Sequence, residues 1–259
     1  MAELGSLPGN GPLLIVNGVT PRLGITLGRP GAPSLHRSTV TSGSSAETLA
    51  PLIAELLAEA GCAPAELGGI ACVRGPGSFT GIRVALATVL GLSRGCGVPM
   101  AGLDYLPLLA ATAARLATGV VVAITYARTG QVYLQTFLAD GELMPMGEPV
   151  ALTVAQAALR LAEAAAVGPL HLVGEGAARS RDAFLAAAPL ATILGPETDE
   201  PHPEVVLAAA ARARYSHAPL EPLYLRPCDA EENLADFAAL RGLSAEEAQE
   251  RVRQATSTI

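Results

Sequence analysis

The run GGIACV at residues 68–73 contains no polar side chain, and it leads through RGPGSFTG directly into IRVALATVLGLSRG, where Arg83 and Arg94 carry the only charges. A strand of this composition has to be buried on both faces, as a central strand of a parallel sheet is. A helix that is apolar around its whole circumference needs cover on two sides. The chain therefore builds a layered α/β core around residues 68–95, and one side of that helix is left for something else to cover.

The flanking patterns agree. Short β-like runs at LLIVNG (13–18), LGITLG (23–28) and SLHRSTV (34–40), separated by Gly and Pro, predict an antiparallel meander. Ser44 and Glu47 form a capping box for ETLAPLIAELLAEAG, whose Leu49, Leu52, Ile53, Leu56, Leu57 and Ala60 share one helical stripe and which Gly61 ends. VPMAGLD (98–104) reads as a strand and YLPLLAATAARLA as a helix. From residue 119 a similar order begins: a hairpin of GVVVAITYAR and QVYLQTFLADGELM, a helix at TVAQAALRLAEAAA and a strand at LHLVGEG. It continues with a helix at ARSRDAFLAAA, a short ATIL strand and a helix at PEVVLAAAARARYSHA. This is a ββαβα plan used twice, without a visible sequence repeat. The expected divisions are a disordered leader at 1–12, lobes at 13–118 and 119–227, and an acidic helical tail at 228–259, capped by Ser244 and Glu247.

Residue counts remove several chemistries. All 17 basic residues are Arg, so a Walker-type phosphate Lys, a Schiff-base Lys and a Lys general base are absent. A net charge of -7 leaves no basic face for gripping a nucleic-acid backbone unaided. Cys62, Cys72, Cys96 and Cys228 form no CxxC pair, and the four His show no close ligand pair, which argues against zinc and for reduced thiols in a cytoplasmic protein. MAELGSLPGNGP has neither a basic n-region nor an apolar core, and the longest apolar stretch, near 100–124, is interrupted by Asp104, Pro107 and Arg115. Neither export nor a membrane span is indicated.

Three readings of residues 74–95 stay open at this stage. Gly75, Gly77, Ser78 and Thr80 lie between a strand and a helix N-terminus, where amides and the helix dipole attract phosphate, yet the spacing fits neither GxGxxG nor GxxxxGK[ST]. A nucleophile turn would need Gly where Pro76 stands; Ser78 or Thr80 then serves as a helix cap and Cys72 as a core residue. The third reading starts from small residues at helical spacing, Val84, Ala87, Thr88 and Gly91, matched by Ala46, Ala50, Ala54 and Ala58 on the preceding helix: they form a partner interface, or they pack on each other or under the second lobe.

The block RGPGSFTGIRVALATVLGLSRGCGVPMAGLDYLPLLA closely resembles the signature of the bacterial TsaB (YeaZ) family, accessory proteins of tRNA threonylcarbamoyladenosine biosynthesis. Weaker echoes at ETLAPLIAELLAEAG, ARTGQVYLQ and EPLYLRP extend the resemblance over about residues 13–227. It implies an actin-like ATPase (ribonuclease H-like) fold of two duplicated lobes. It also implies a subunit without its own chemistry that binds and activates a TsaD-like paralogue, with a TsaE-like ATPase joining, a homodimer when alone, and tRNA met only through the complex. No cofactor is implied, ATP or ADP entering only with a partner. On this resemblance the interface comprises Ala46, Ala50, Ile53, Ala54, Arg83, Val84, Ala87, Thr88 and Gly91. Where the family has an Asp at the end of the first strand this chain has Asn17, and Ser45 and Tyr126 stand for the family's His and Asp, which weakens the alternative of a nucleotide-dependent phosphotransferase or ATPase of the same fold.

Overall fold

The computed structural model describes residues 9–41, 45–227, 244 and 247. Strands β1 (Leu13–Asn17), β2 (Arg22–Gly28) and β3 (Leu35–Val40) form the expected meander, each antiparallel to its neighbour. Helix α1 (Ser45–Glu59) then leads to β4 (Gly69–Val73), α2 (Phe79–Cys96), β5 (Met100–Leu103) and α3 (Tyr105–Ala113). The first sheet has the order β3-β2-β1-β4-β5, with β1, β4 and β5 parallel.

The second sheet repeats this order. Strands β6 (Gly119–Arg128) and β7 (Gln131–Asp140) form the hairpin, and β8 (Glu142–Pro145) and β9 (Val150–Thr153) both pair with β7. Helix α4 (Val154–Ala165), β10 (Leu170–Val173), α5 (Glu175–Arg179), α6 (Arg181–Ala187), β11 (Thr192–Ile193) and α7 (Pro203–Arg212) follow. The order is β11-β10-β6-β7-β8, with β6, β10 and β11 parallel. The chain is thus an α/β protein with two sheets of one topology, the duplicated plan expected from the order of its elements.

Alternation along the buried strands explains the layering. Leu13 and Ile15 of β1 enter one core cluster while Leu14 and Val16 enter another; Val121 and Ala123 of β6 likewise separate from Val120, Val122 and Ile124. The shared cluster lies between the sheets and contains Tyr105, Leu106 and Leu109 of α3 with Val206 and Leu207 of α7. Helices α1 and α2 cover the outer face of the first sheet, through Leu49, Ile53, Leu56, Ala85 and Val89. On the second, Ala157 and Leu161 of α4 and Phe184 of α6 do the same.

Some local expectations change. ARSRDAFLAAA is not one helix, because Ser180 leaves helical geometry at φ -110° and ψ 21° and separates α5 from α6. QVYLQTFLADGELM is broken by Gly141 at φ 75° into β7 and β8, and the last helix stops at Arg212 rather than running to Ala218. Strand β9 has no counterpart in the sequence reading. The expected cap Ser44 lies outside the described residues, as does most of the tail. Residues up to Leu225 form one compact unit and Arg226–Ile259 another. Within the latter, Ser244 and Glu247 make the capping box: Ser244 N donates to Glu247 Oε2 at 2.8 Å, and Glu247 N to Ser244 Oγ at 3.2 Å.

Candidate functional site

The segment from Arg74 to Thr80 turns from β4 into α2, and each of its glycines has a packing reason. Gly75 has φ +127°, precedes a cis Gly75–Pro76 bond, and sits where an added Cβ would lie 2.6 Å from the Leu223 carbonyl oxygen. A Cβ on Gly77 would meet Val19 O at 2.2 Å, and one on Gly81 would meet Gly18 O at 2.0 Å. The β1–β2 turn therefore lies directly against the start of α2. Ser78 N donates to Val19 O at 2.7 Å, and Ser78 Oγ accepts from Gly81 N at 3.2 Å as the helix N-cap. These contacts account for Gly75, Gly77 and Ser78 without any phosphate, and Thr80 is exposed on the first turn. Asn17 has its own structural task, since its Oδ1 accepts from Val19 N at 3.2 Å and shapes that same turn.

Helices α1 and α2 lie side by side and turn their small residues outward. Ala46, Ala50, Ala54 and Ala58 of α1 are exposed, as are Arg83, Ala87 and Gly91 of α2, while Val84 and Thr88 are half-buried. Beyond Gly91 and Gly95 there is open space, with no atom within 4 Å of an added Cβ. Ile53 belongs to the opposite side: it is 5% exposed and packs in the core beneath the helix, so it supports the face rather than forming it. Ala46, Ala50, Ala54, Ala58, Ala87 and Gly91 are thus left open to solvent by the described residues.

One end of this face is an aromatic and cationic cluster of which the sequence reading named only Arg83. The Phe79 and Tyr224 rings stack with centroids 4.5 Å apart, the Arg83 guanidinium lies 3.9 Å from the Phe79 centroid, and Arg83 Nε donates to Tyr224 Oη at 3.0 Å. Together with Leu223 N donating to Arg74 O at 2.8 Å, this fastens residues 223–224 to the start of α2. In a chain with only four Phe and five Tyr, aromatics at positions 79 and 224 were a usable signal, but nothing in their spacing joins them.

A second cluster lies between the sheets. Thr20 Oγ is 3.0 Å from Glu200 Oε1 and 3.1 Å from Arg22 O, and it accepts from Arg22 N at 3.2 Å. Burial pushes the Glu200 carboxyl up to about 7, against the pull of the Thr20 hydroxyl and Arg22, with the negative charges of Glu175 and Asp199 adding to the rise. Burial, then Glu175 and Glu197, also raises Asp199, whose backbone oxygen accepts from the buried Tyr105 Oη at 3.2 Å. This surrounding is acidic. Among the described residues no group of three or more His, Cys, Asp and Glu is arranged to hold a metal ion.

The model of the family described as TsaD: tRNA N6-adenosine threonylcarbamoyltransferase matches residues 39–215. The tRNA threonylcarbamoyladenosine biosynthesis protein TsaB of Escherichia coli K12 is 30% identical over 130 residues, covering 49% of this chain and 55% of that protein. A crystal structure of a Pseudomonas aeruginosa protein described as similar to peptidase YEAZ superposes with a TM-score of 0.70 at 28% identity, over 83% of this chain and 100% of that one. The chain belongs to the TsaB/YeaZ family. An uncharacterized Mycobacterium tuberculosis protein is 31% identical over 195 residues, 75% of this chain and 81% of its own length. The chain spans about half the length of the curated TsaB relatives it matches. The TsaB/YeaZ fold is the α/β arrangement of two sheets described above, and among the described residues no helix is long and apolar enough to cross a membrane.

Proposed function

We propose that this chain serves tRNA threonylcarbamoyladenosine biosynthesis as a cytoplasmic, non-catalytic subunit that binds and activates a TsaD-like threonylcarbamoyltransferase. The observation that carries the reading is the uncovered pair of outward small-residue faces on α1 and α2. Close helix approach needs small side chains, and a four-helix contact with a partner of similar build would bury Ala46, Ala50, Ala54, Ala87 and Gly91 at once. The self-capped start of α2 and the acidic surroundings of Glu200 favour support of a partner's chemistry over a nucleotide reaction of this chain's own. In this reading the homodimer formed without the partner uses the same face, a TsaE-like ATPase joins afterwards, and tRNA reaches the complex through the partner.

The test is co-purification of the chain with its TsaD-like paralogue after Ala87→Glu, which places a charge on an exposed helical position without disturbing the core. Loss of the complex with an unchanged thermal transition is the expected result, and Val84→Arg should act alike. A complex that survives both substitutions would refute the assignment of this face.

A further inference from the structure

The turn between β1 and β2 is bonded on two sides. On one side it carries the start of α2: Gly18 O lies against Gly81, Val19 O accepts from Ser78 N at 2.7 Å, and Asn17 Oδ1 accepts from Val19 N at 3.2 Å. On the other side Thr20 Oγ lies 3.0 Å from Glu200 Oε1. The segment that holds Glu200 is tied down on both flanks, by Tyr105 Oη donating to Asp199 O at 3.2 Å and by His202 N donating to Thr112 Oγ at 2.9 Å. Direct contacts therefore join the acidic cluster between the sheets to the first turn of α2.

Thr20 is the informative residue. Its hydroxyl has one proton and two lone pairs. One lone pair accepts from Arg22 N at 3.2 Å, which leaves the proton and the other lone pair for Arg22 O at 3.1 Å and Glu200 Oε1 at 3.0 Å. Arg22 O is a carbonyl oxygen and can only accept. A neutral Glu200 donates to the remaining lone pair, the Thr20 proton goes to Arg22 O, and all three bonds are made. An ionised Glu200 can only accept, so it competes with Arg22 O for one proton and one bond is lost. Thr20 is 7% exposed, so bulk water replaces that bond poorly.

The groups around Glu200 set when that exchange happens. Arg22 of β2 and the Thr20 hydroxyl favour its ionised form, while burial, Glu175 of α5 and the adjacent Asp199 favour the neutral one and prevail. Tyr105 of α3 faces the same acids, Glu197 acts through Asp199, and His202 follows in the same segment. His36 of β3 lies further off, its imidazole held below the ordinary value by burial, His202 and Arg37. We propose that Thr20 and Glu200 form a proton-operated latch on helix α2: a neutral Glu200 keeps the β1–β2 turn fully bonded and the first turn of α2 seated on it, and an ionised Glu200 releases one bond of the turn and loosens that seat. The latch is a property of the free chain. Its consequence for a partner, a weaker grip by the outward face of α2 once Glu200 ionises, rests on the proposed function.

Amide NMR of the full chain between about pH 5.5 and about pH 8.5 tests it. The Val19, Ser78 and Gly81 signals should move together with one midpoint near pH 7, where burial places the Glu200 carboxyl. Their exchange with solvent, corrected for base catalysis, should quicken roughly two- to tenfold across that midpoint, the equilibrium worth of one hydrogen bond. Both changes should vanish in Glu200→Gln, which donates at every pH. In Thr20→Val the carboxyl should still titrate while Ser78 and Gly81 stay fixed, and Glu200→Gln decides the matter if that variant folds poorly. Ser78 and Gly81 signals that ignore pH over this range in the parent chain would overturn the latch. So would signals that titrate unchanged in Glu200→Gln, as they would if His36 or His202 moved them. The consequence for a partner is read separately, from the dissociation constant of the complex with the TsaD-like paralogue. Weakening above pH 7 by the same factor, absent in Glu200→Gln, supports it, and an affinity that changes equally in both proteins, or in neither, overturns it. No complex at any pH refutes the proposed function and leaves the NMR result standing.

Discussion

Replacing Glu200 by Gln tests the acidic cluster between the sheets through the pH dependence of stability. With its carboxyl pushed up to about 7 by burial, Glu200 keeps its proton in the folded chain at pH values where the unfolded chain, near the ordinary carboxyl value of 4.5, has lost it. The folded state then binds more protons, and stability falls as pH rises from about 4.5 to about 7, levelling off once the folded carboxyl ionises too. The separation corresponds to about 3 kcal/mol at most, and residual solvent access reduces it to about 1–2 kcal/mol. The geometry points the same way. The single Thr20 hydroxyl proton faces two acceptors, Arg22 O at 3.1 Å and Glu200 Oε1 at 3.0 Å, and a protonated Glu200 relieves the competition by donating to Thr20. Gln supplies a donor at every pH. Urea unfolding at pH 5 should find the two proteins about equally stable, whereas at pH 8 the Gln variant should be more stable by about 1–2 kcal/mol. A difference between variant and parent that stays constant from pH 5 to pH 8 would refute the argument.

The helix glycines and the buried thiol give two further expectations. Gly81→Ala drives a Cβ to 2.0 Å from Gly18 O, backbone against backbone, and should cost about 1–3 kcal/mol in urea unfolding, whereas Gly91→Ala, in open space within the same helix, should gain about 0.5–1 kcal/mol. The Cys72 thiol, pushed up to about 12 by complete burial, should resist alkylation at pH 8 until the chain unfolds, while the partly exposed Cys62 and Cys96 react in the native state; peptide mass mapping reads all three.

The strands and long helices were legible because burial writes itself into periodicity. GIACV reads as a strand buried on both faces, and the structure buries all of it, while LLIVNG and GVVVAITYAR read as strands and form them. The outward Ala stripe of α1 was also readable, since Ala46, Ala50, Ala54 and Ala58 recur every fourth residue away from the Leu face. Ile53 was read twice, on the Leu stripe by periodicity and in the interface by resemblance, and its burial in the core follows the periodicity. Most of the chemistry-bearing contacts join distant positions: Thr20 with Glu200, Phe79 with Tyr224, Arg74 with Asp104. No local pattern encodes such pairings. The break at Ser180 was invisible for the opposite reason, because the flanking residues are all acceptable helix formers and only packing of two short helices separates them.

The contact between Gly18 and Gly81 has a consequence for how the first sheet finds its alignment. In β1, all five residues are buried, and apart from Asn17 at its end the strand is apolar on both faces, Leu13 and Ile15 on one and Leu14 and Val16 on the other. Sliding such a strand by one residue exchanges Leu and Ile for Leu and Val, an exchange that hydrophobicity hardly distinguishes. The distinction comes from shape at the strand's end. Only in the native alignment does Gly18 sit beneath Gly81 and the Val19 carbonyl meet the Ser78 amide, so a slipped strand would press a side chain into backbone. The glycines of this turn act as a mechanical index: they tell an otherwise uniform apolar ribbon where to stop.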